Sequence, residues 1–277
     1  MKYVNKWFLK LFQAFHQRMH NAIFFLPLSL IYFEAYMNIA LIGYGKMGQA
    51  IEEVALRRGH SITCKISSRN LQDFNPRVLQ WADVAIEFST PESAYQNINQ
   101  CLEIGIPIIS GTTGWLTKKE EIEQKCKDLD GTFLYASNFS IGVNIFFEIS
   151  KKLAELMNKY ETYDVNIKEI HHTAKLDKPS GTAITLAKDI IERVDRKKVW
   201  TISAPTDKNS RNLYIESERT DPAPGTHIIN YTSDIDDIQI THTAHSRNGF
   251  AKGAVLAAEW LVGKKGIFEM KDVLELG

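Results

Sequence analysis

The sequence predicts an α/β protein in two parts: a doubly wound parallel sheet in the first half, and an α+β domain with an open mixed sheet in the second. Three observations carry that expectation. From Asn38 to Ala136, short apolar runs alternate with helical ones, the pattern of strands joined by crossover helices. The first strand leads into its helix through a glycine-rich turn, Gly43-Tyr44-Gly45-Lys46-Met47-Gly48. Beyond Asn144 helices become few and the strand-like runs lengthen.

Composition narrows the classes. The chain has 277 residues, 44% hydrophobic and 24% charged, which suits a folded protein of one large or two modest domains. Lys+Arg and Asp+Glu both number 33, so no whole-chain positive field exists to recruit nucleic acid or an acidic membrane. Partners are expected to be small molecules or further copies of the chain. Cys64, Cys101 and Cys126 are widely spaced, with no C-x-x-C pair, and are expected as reduced, buried small hydrophobes, which favours the cytoplasm.

Residues 1–36 differ in character from the rest of the chain. Scattered lysines and aromatics precede an apolar run, Ala22 to Phe33, interrupted by Pro27 and Ser29. It is too short for a bilayer, which takes ~20 apolar residues, and Glu34-Ala35-Tyr36 is a poor cleavage site. The segment reads as an N-terminal extension, with Met37 the functional first residue and no membrane attachment expected.

The first strand is Asn38 to Ile42, and Met47, Ile51, Val54 and Ala55 trace one face of the next helix, ended by Gly59. Between them lies G-x-G-x-x-G in the strand-to-helix setting its chemistry needs. It gives a tight turn, backbone approach to a diphosphate, and a helix N-terminus to receive it, as in a Rossmann-type dinucleotide fold. The second strand, Ser61 to Ile66, ends in Ser67-Ser68-Arg69, where NAD binders place an acid about twenty residues past the glycines. Hydroxyls and a guanidinium suit a 2′-phosphate instead, so NADPH is favoured and NADH is the second candidate.

The alternation continues with a strand from Asp83 to Phe88, then Ser89-Thr90-Pro91-Glu92 opening a helix. Next come Ile106 to Ser110 followed by Gly111-Thr112-Thr113-Gly114, a helix expected to be capped by Thr117 with Glu120, and Thr132 to Ala136 ending in Ser137-Asn138-Phe139-Ser140. Each carboxyl end carries small polar residues, and in a doubly wound sheet those ends line the ligand crevice.

In the second half a long amphipathic helix, Ile145 to about Tyr160, precedes a strand from Tyr163 to Ile170 and a helix from Ala183 to Val194. Strands are expected at Leu213–Ile215, His227–Tyr231 and Ile238–Thr243. Ala251–Leu261 and Phe268–Leu274 then read as helices that pack back on the first part. The expected division is 37–139 plus 244–277 for one domain and 140–243 for the other; their roles as dinucleotide-binding domain and as substrate and oligomerisation domain, with a closing hinge near Ser140 and Ala244, are what the family resemblance stated below implies.

The corner between the Tyr163–Ile170 strand and the next helix concentrates the chemistry. His171 and His172 offer imidazoles that titrate near neutrality, and Lys175 adds a fixed positive charge. Past Pro179, Ser180, Gly181 and Thr182 read as a helix entrance whose hydroxyls cap and whose free N–H groups suit a small carboxylate. Adjacent residues of a strand face opposite ways, so one of the two histidines can be a surface residue. No second cluster with ligand spacing accompanies them, so no metal site is expected.

Taken together, Glu169-Ile170-His171-His172, Lys175, Asp177, Pro179-Ser180-Gly181-Thr182-Ala183, Gly111-Thr112-Thr113-Gly114 and Ser137 to Asn144 resemble the 4-hydroxy-tetrahydrodipicolinate reductase family, from Met37 to the C-terminus. The resemblance implies a homotetramer that transfers hydride from NAD(P)H to a cyclic dicarboxylate, releasing water, in lysine and diaminopimelate synthesis. It implies His171 as proton donor and Lys175 as the second catalytic residue. His172, Gly181 and Thr182 become substrate contacts, Gly111, Thr112 and Thr113 the strip beside the nicotinamide, and Ala136, Ser137, Asn138 and Phe139 cofactor contacts. Gly43 to Gly48 match the glycine loop, and Ser68, Arg69 and Phe88 complete the expected cofactor site. The departures are the N-terminal extension, a short connection between Asn70 and Trp81, and Ser67 or Ser68 where members often carry an acid. The residues alone leave two rivals: another NADP-dependent dehydrogenase of a sugar or aldehyde, and a non-catalytic nicotinamide sensor. The absence of a nucleophilic Cys near the corner argues against the aldehyde case.

Overall fold

A computed structural model describes residues 36–204, 210–246 and 248–276. The N-terminal extension expected from the sequence lies outside them, Tyr36 apart. Strands β1 (Asn38–Ile42), β2 (Ser61–Ile66), β3 (Val84–Glu87), β4 (Ile108–Ser110), β5 (Thr132–Tyr135) and β11 (Gly266–Phe268) form one sheet in the order β11-β5-β4-β3-β1-β2, every pair parallel. Its inner strands β3, β4 and β5 are buried at every residue, as a sheet covered on both faces must be.

Alternation along β1 shows how the two faces are filled. Ile39 and Leu41 point into a core closed by helices α1 (Lys46–Arg57) and α7 (Asn248–Leu261), whereas Ala40 and Ile42 point into a second core beneath α3 (Pro91–Ile104) and α4 (Lys119–Asp128). Helix α7 supplies Ala251, Ala254, Val255, Ala257, Ala258 and Leu261 to the first of these cores. The short α2 (Pro76–Leu79) lies between β2 and β3.

The second sheet contains β6 (Asp164–His171), β7 (Val199–Thr201), β8 (Asn212–Arg219), β9 (Gly225–Thr232) and β10 (Asp237–Ala244), in the order β10-β9-β6-β8-β7. It is mixed: β6 runs parallel to β8 and antiparallel to β9. Helices α5 (Ile141–Met157) and α6 (Gly181–Ile191) cover one face, so β6 buries every second residue, Val165, Ile167, Glu169 and His171. The other face carries Asn166, Lys168, Glu216 and Asn230, with Lys168 Nζ 2.9 Å from Glu216 and 3.1 Å from Glu218. Among the described residues no helix is long and apolar enough to cross a membrane.

Two local expectations are corrected. Thr117 does not cap α4: the buried Trp115 donates its indole N–H to the Thr112 carbonyl at 2.7 Å, and residues 116–118 wind as a 3₁₀ turn before the helix begins. The run Phe268–Leu274 is not one helix. Residues 266–268 pair with the otherwise open edge of β5, and only Met270–Val273, α8, is helical. Residues 199–201, on which the sequence pattern carries no expectation, form β7. All three cysteines are free; Cys101 and Cys126 are buried and Cys64 is half-buried.

Candidate active site

At the carboxyl end of β1 the chain turns at Gly43, whose φ of +91° suits glycine and whose added Cβ would fall 2.0 Å from the Phe88 carbonyl oxygen. Gly48 is held as tightly, since its Cβ would stand 2.4 Å from the Gly43 oxygen. Gly45 differs: a Cβ there meets nothing within 4 Å, and as N-cap of α1 it has no side chain to satisfy the first N–H groups. Packing therefore fixes the outer two glycines, and the middle one leaves an open cradle at a helix N-terminus.

That cradle opens into a cavity of about 750 Å³ lined by Gly43, Tyr44, Gly45, Ser67, Ser68, Arg69, Phe88 and Ser89, among others. Its volume and the bare helix end fit a dinucleotide. Among the described residues the Arg69 guanidinium has no ion pair or hydrogen bond, so it is available to an anion. The Ser67 hydroxyl is already committed to Asn70 Oδ1 at 2.8 Å, while Ser68 is exposed. Lys46 is exposed at the start of α1, whereas Met47 and Gly48 turn inward, Met47 against the first core.

The remaining expected cofactor residues stand on neighbouring strand ends. Gly111 is pressed against the Phe88 ring, where a Cβ would lie 2.2 Å away, and Phe88 packs on Phe139 with centroids 5.5 Å apart. Phe139 is itself core. Thr113 and Ser137 are exposed, and Ala136 is buried. Asn138 faces the second sheet, its Nδ2 3.5 Å from Thr182 Oγ1, and so joins the two groups of strand ends.

Beneath this strip lies a residue that sequence reasoning passed over. Glu87 ends β3 wholly buried, and its Oε1 accepts from the Ser89 N–H (3.0 Å) and Thr112 Oγ1 (2.9 Å) while Oε2 accepts from Ser110 Oγ (2.6 Å). The Ser89 hydroxyl donates to it as well. One carboxylate thus ties together the loops after β3 and β4, and the only sequence signal was a lone acid inside an apolar run.

The second group of residues is set by strand geometry. Glu169 and His171 are two apart on β6 and share its buried face, and antiparallel pairing sets His227 of β9 opposite Glu169. His171 and His227 meet edge to face, with centroids 5.1 Å apart. His172, one residue on, is half-buried on the other side. Glu169 takes the Ser180 N–H at 3.1 and 3.0 Å and Arg219 Nη2 at 3.0 Å. Arg219 also donates to the carbonyls of Lys175 (3.3 Å) and Asp177 (2.6 Å), clamping the loop that carries Lys175. Lys175 Nζ lies 2.8 Å from Asp177 Oδ2.

Ser180 caps α6 by accepting from the Ala183 N–H at 3.1 Å, and its hydroxyl lies 3.1 Å from His227 Nε2. The N–H groups of Gly181 and Thr182 fall outside the intrahelical ladder. Burial pushes the His171 pKa below its ordinary value although Glu169 pulls it up, and burial, aided by His171, drives His227 down to about 3. Burial pushes the Glu169 carboxyl up, but hydrogen bonds from Ser180 and Arg219 outweigh it and leave it low and ionised. Glu169, His171 and His227 bring ligand-type atoms within 4.8 Å of one another. With Arg219 already pairing the carboxylate, the charge of this cluster is met from within the chain. Glu169, Arg219 and His227 were missed because their meeting depends on strand register.

The comparisons agree on a family. Residues 37–139 match the family model described as dihydrodipicolinate reductase, N-terminus, and residues 142–274 the model for its C-terminus. A 4-hydroxy-tetrahydrodipicolinate reductase of Christiangramia forsetii is 51% identical over 242 residues, covering 86% of this chain and 98% of the relative. One from Neisseria meningitidis is 34% identical over 232 residues, covering 81% and 84%. A dipicolinate-bound dihydrodipicolinate reductase from a Paenisporosarcina species shares the fold, with a TM-score of 0.64 at 21% identity over 84% of this chain and 97% of that one. The chain belongs to the dihydrodipicolinate reductase family of oxidoreductases.

Proposed function

We propose that the chain reduces 4-hydroxy-tetrahydrodipicolinate to tetrahydrodipicolinate and water in lysine and diaminopimelate synthesis, in the cytoplasm. The observation that carries this reading is the convergence of an imidazole, an ammonium and a helix N-terminus at one corner, joined through Thr182 and Asn138 to the strand ends of the first sheet.

NADPH is the favoured cofactor. The turn at Gly43, Tyr44 and Gly45 with Lys46 would receive the diphosphate, Ser68 and Arg69 the 2′-phosphate, and Phe88, Gly111 to Thr113 and Ala136 to Asn138 the nicotinamide end. When bound, it supplies the hydride. The substrate's carboxylates are held by the N–H groups of Gly181 and Thr182, the Ser180 cap, Lys175 and His172. Lys175 exchanges Asp177 for the incoming anion. His171 delivers the proton that completes the reduction. The chain assembles as a homotetramer through the second half of the molecule, where Ile235 and Ile238 at the β10 edge and a stripe of Ile141, Ile145 and Ile149 on α5 leave apolar surface exposed.

The test is NADPH oxidation followed with freshly prepared substrate. Substrate-dependent oxidation is expected, and cofactor binding with no turnover would defeat the reading in favour of a sensor.

A further inference from the structure

The two ring nitrogens of His171 meet different surroundings. Nδ1 is buried, 3.5 Å from Glu169 Oε2, and has no hydrogen-bond partner among the described residues. Nε2 faces Gly225, where an added Cβ would stand 3.1 Å from it. Any side chain at 225 would therefore crowd that nitrogen. The Glu169 oxygen on this side is not filled by Arg219, whose guanidinium binds Oε1.

We propose that Glu169 is a positioning residue for His171: its Oε2 accepts the Nδ1–H of the imidazole and so reserves Nε2–H for the substrate. This rests on the reading of His171 as proton donor. In the imidazolium both nitrogens carry a proton. The Nε2 proton passes to the anion formed by hydride addition, and the N–H electron pair stays on Nε2. Nδ1–H stays bonded to Glu169, which takes up no proton, and water restores the one on Nε2.

The charges around the ring oppose one another. Glu169 from β6 and Asp177 from the adjoining loop favour the imidazolium; Lys175 from that loop and Arg219 from β8 disfavour it. His227 from β9, itself disfavoured by His242 of β10, stays neutral with its pKa at about 3 and adds no charge. Loss of the Glu169 charge leaves Lys175 and Arg219 opposed by Asp177 alone, so the donor deprotonates at lower pH.

The experiment compares pH profiles of kcat and KM for the wild type, Glu169→Gln and His171→Gln at saturating NADPH. Glutamine keeps an oxygen for the Ser180 N–H. In Glu169→Gln the alkaline fall of kcat is expected to move down by about one pH unit or more, with kcat near neutrality reduced on the order of tenfold and KM changed less than about threefold. In His171→Gln that limb should vanish. A Glu169→Gln enzyme whose KM rises while its limb stays put would overturn the inference, leaving Glu169 a mere tether for the loop. Retention of the limb in His171→Gln would instead overturn the donor reading on which the inference stands. A measurement without any variant decides as well: the imidazole ¹⁵N shifts of neutral His171 in the wild-type protein should report the Nδ1–H tautomer, and the Nε2–H tautomer would refute the proposal.

Discussion

At the scale of single residues, charge that is left without a partner points to a ligand. Arg69 lines the cavity with its guanidinium unengaged among the described residues, and a bidentate phosphate contact is worth more than an ordinary hydrogen bond. Arg69→Ala should raise KM for NADPH roughly tenfold, about 1.4 kcal/mol, and leave KM for NADH nearly unchanged, as initial rates with each cofactor will show. An equal loss for both would remove Arg69 from cofactor choice. For the corner, His171→Ala should lower kcat by about 10²–10⁴ with little change in KM, whereas Lys175→Ala should harm both, because Lys175, in its proposed role, holds ground and transition states alike. Near-wild-type turnover in either variant would refute its role. These residues were legible because their neighbours in sequence are their neighbours in space. Glu169, His227 and Arg219 were not: the Arg219 contact with Glu169 spans 50 residues, and knowing it required the pairing of β6 with β8.

At the scale of elements, the glycine turn separates folding from binding. Gly43→Ala would combine a positive φ with a collision on the Phe88 carbonyl, and should cost about 2–5 kcal/mol in a denaturant titration. Gly45→Ala meets nothing in the protein, so stability should change by about 0.5 kcal/mol or less while KM for the cofactor climbs. Unaltered cofactor affinity in that variant would contradict the use of the cradle. Most strands and helices could be read beforehand, since apolar periodicity is local. The exceptions are instructive: β7 and β11 are three residues each, too short for a periodic signal, and both exist by pairing with a longer neighbour. Likewise β8 extends through Glu216-Ser217-Glu218-Arg219, whose polarity concealed a strand that faces open surface on one side and an ion pair on the other.

At the scale of the whole molecule, buried titratable groups set the acid limit of stability. His227 titrates near 3 in the folded chain against an ordinary 6.5. Its folded pKa is depressed, so between those values the unfolded chain binds a proton that the folded one refuses. The stability is present above pH 6.5 and is lost as pH falls, by up to ~1.4 kcal/mol per unit. Glu169, also depressed, adds to the loss below its unfolded value of 4.5. Urea midpoints measured between about pH 6.5 and 4 should drop for the wild type and flatten in His227→Gln. Parallel slopes would show that His227 does not set the limit.

The first sheet is finished by a segment far along the chain from its other strands. Strand β11 lines up beside β5 across more than a hundred intervening residues, and α7 fills the same hydrophobic layer as β1. While the polypeptide is still emerging from the ribosome, its glycine turn must wait with one wall missing. Synthesis that stops short of α7 would leave that layer open to water, so the ability to seize a nucleotide should arise only after α7 has been made.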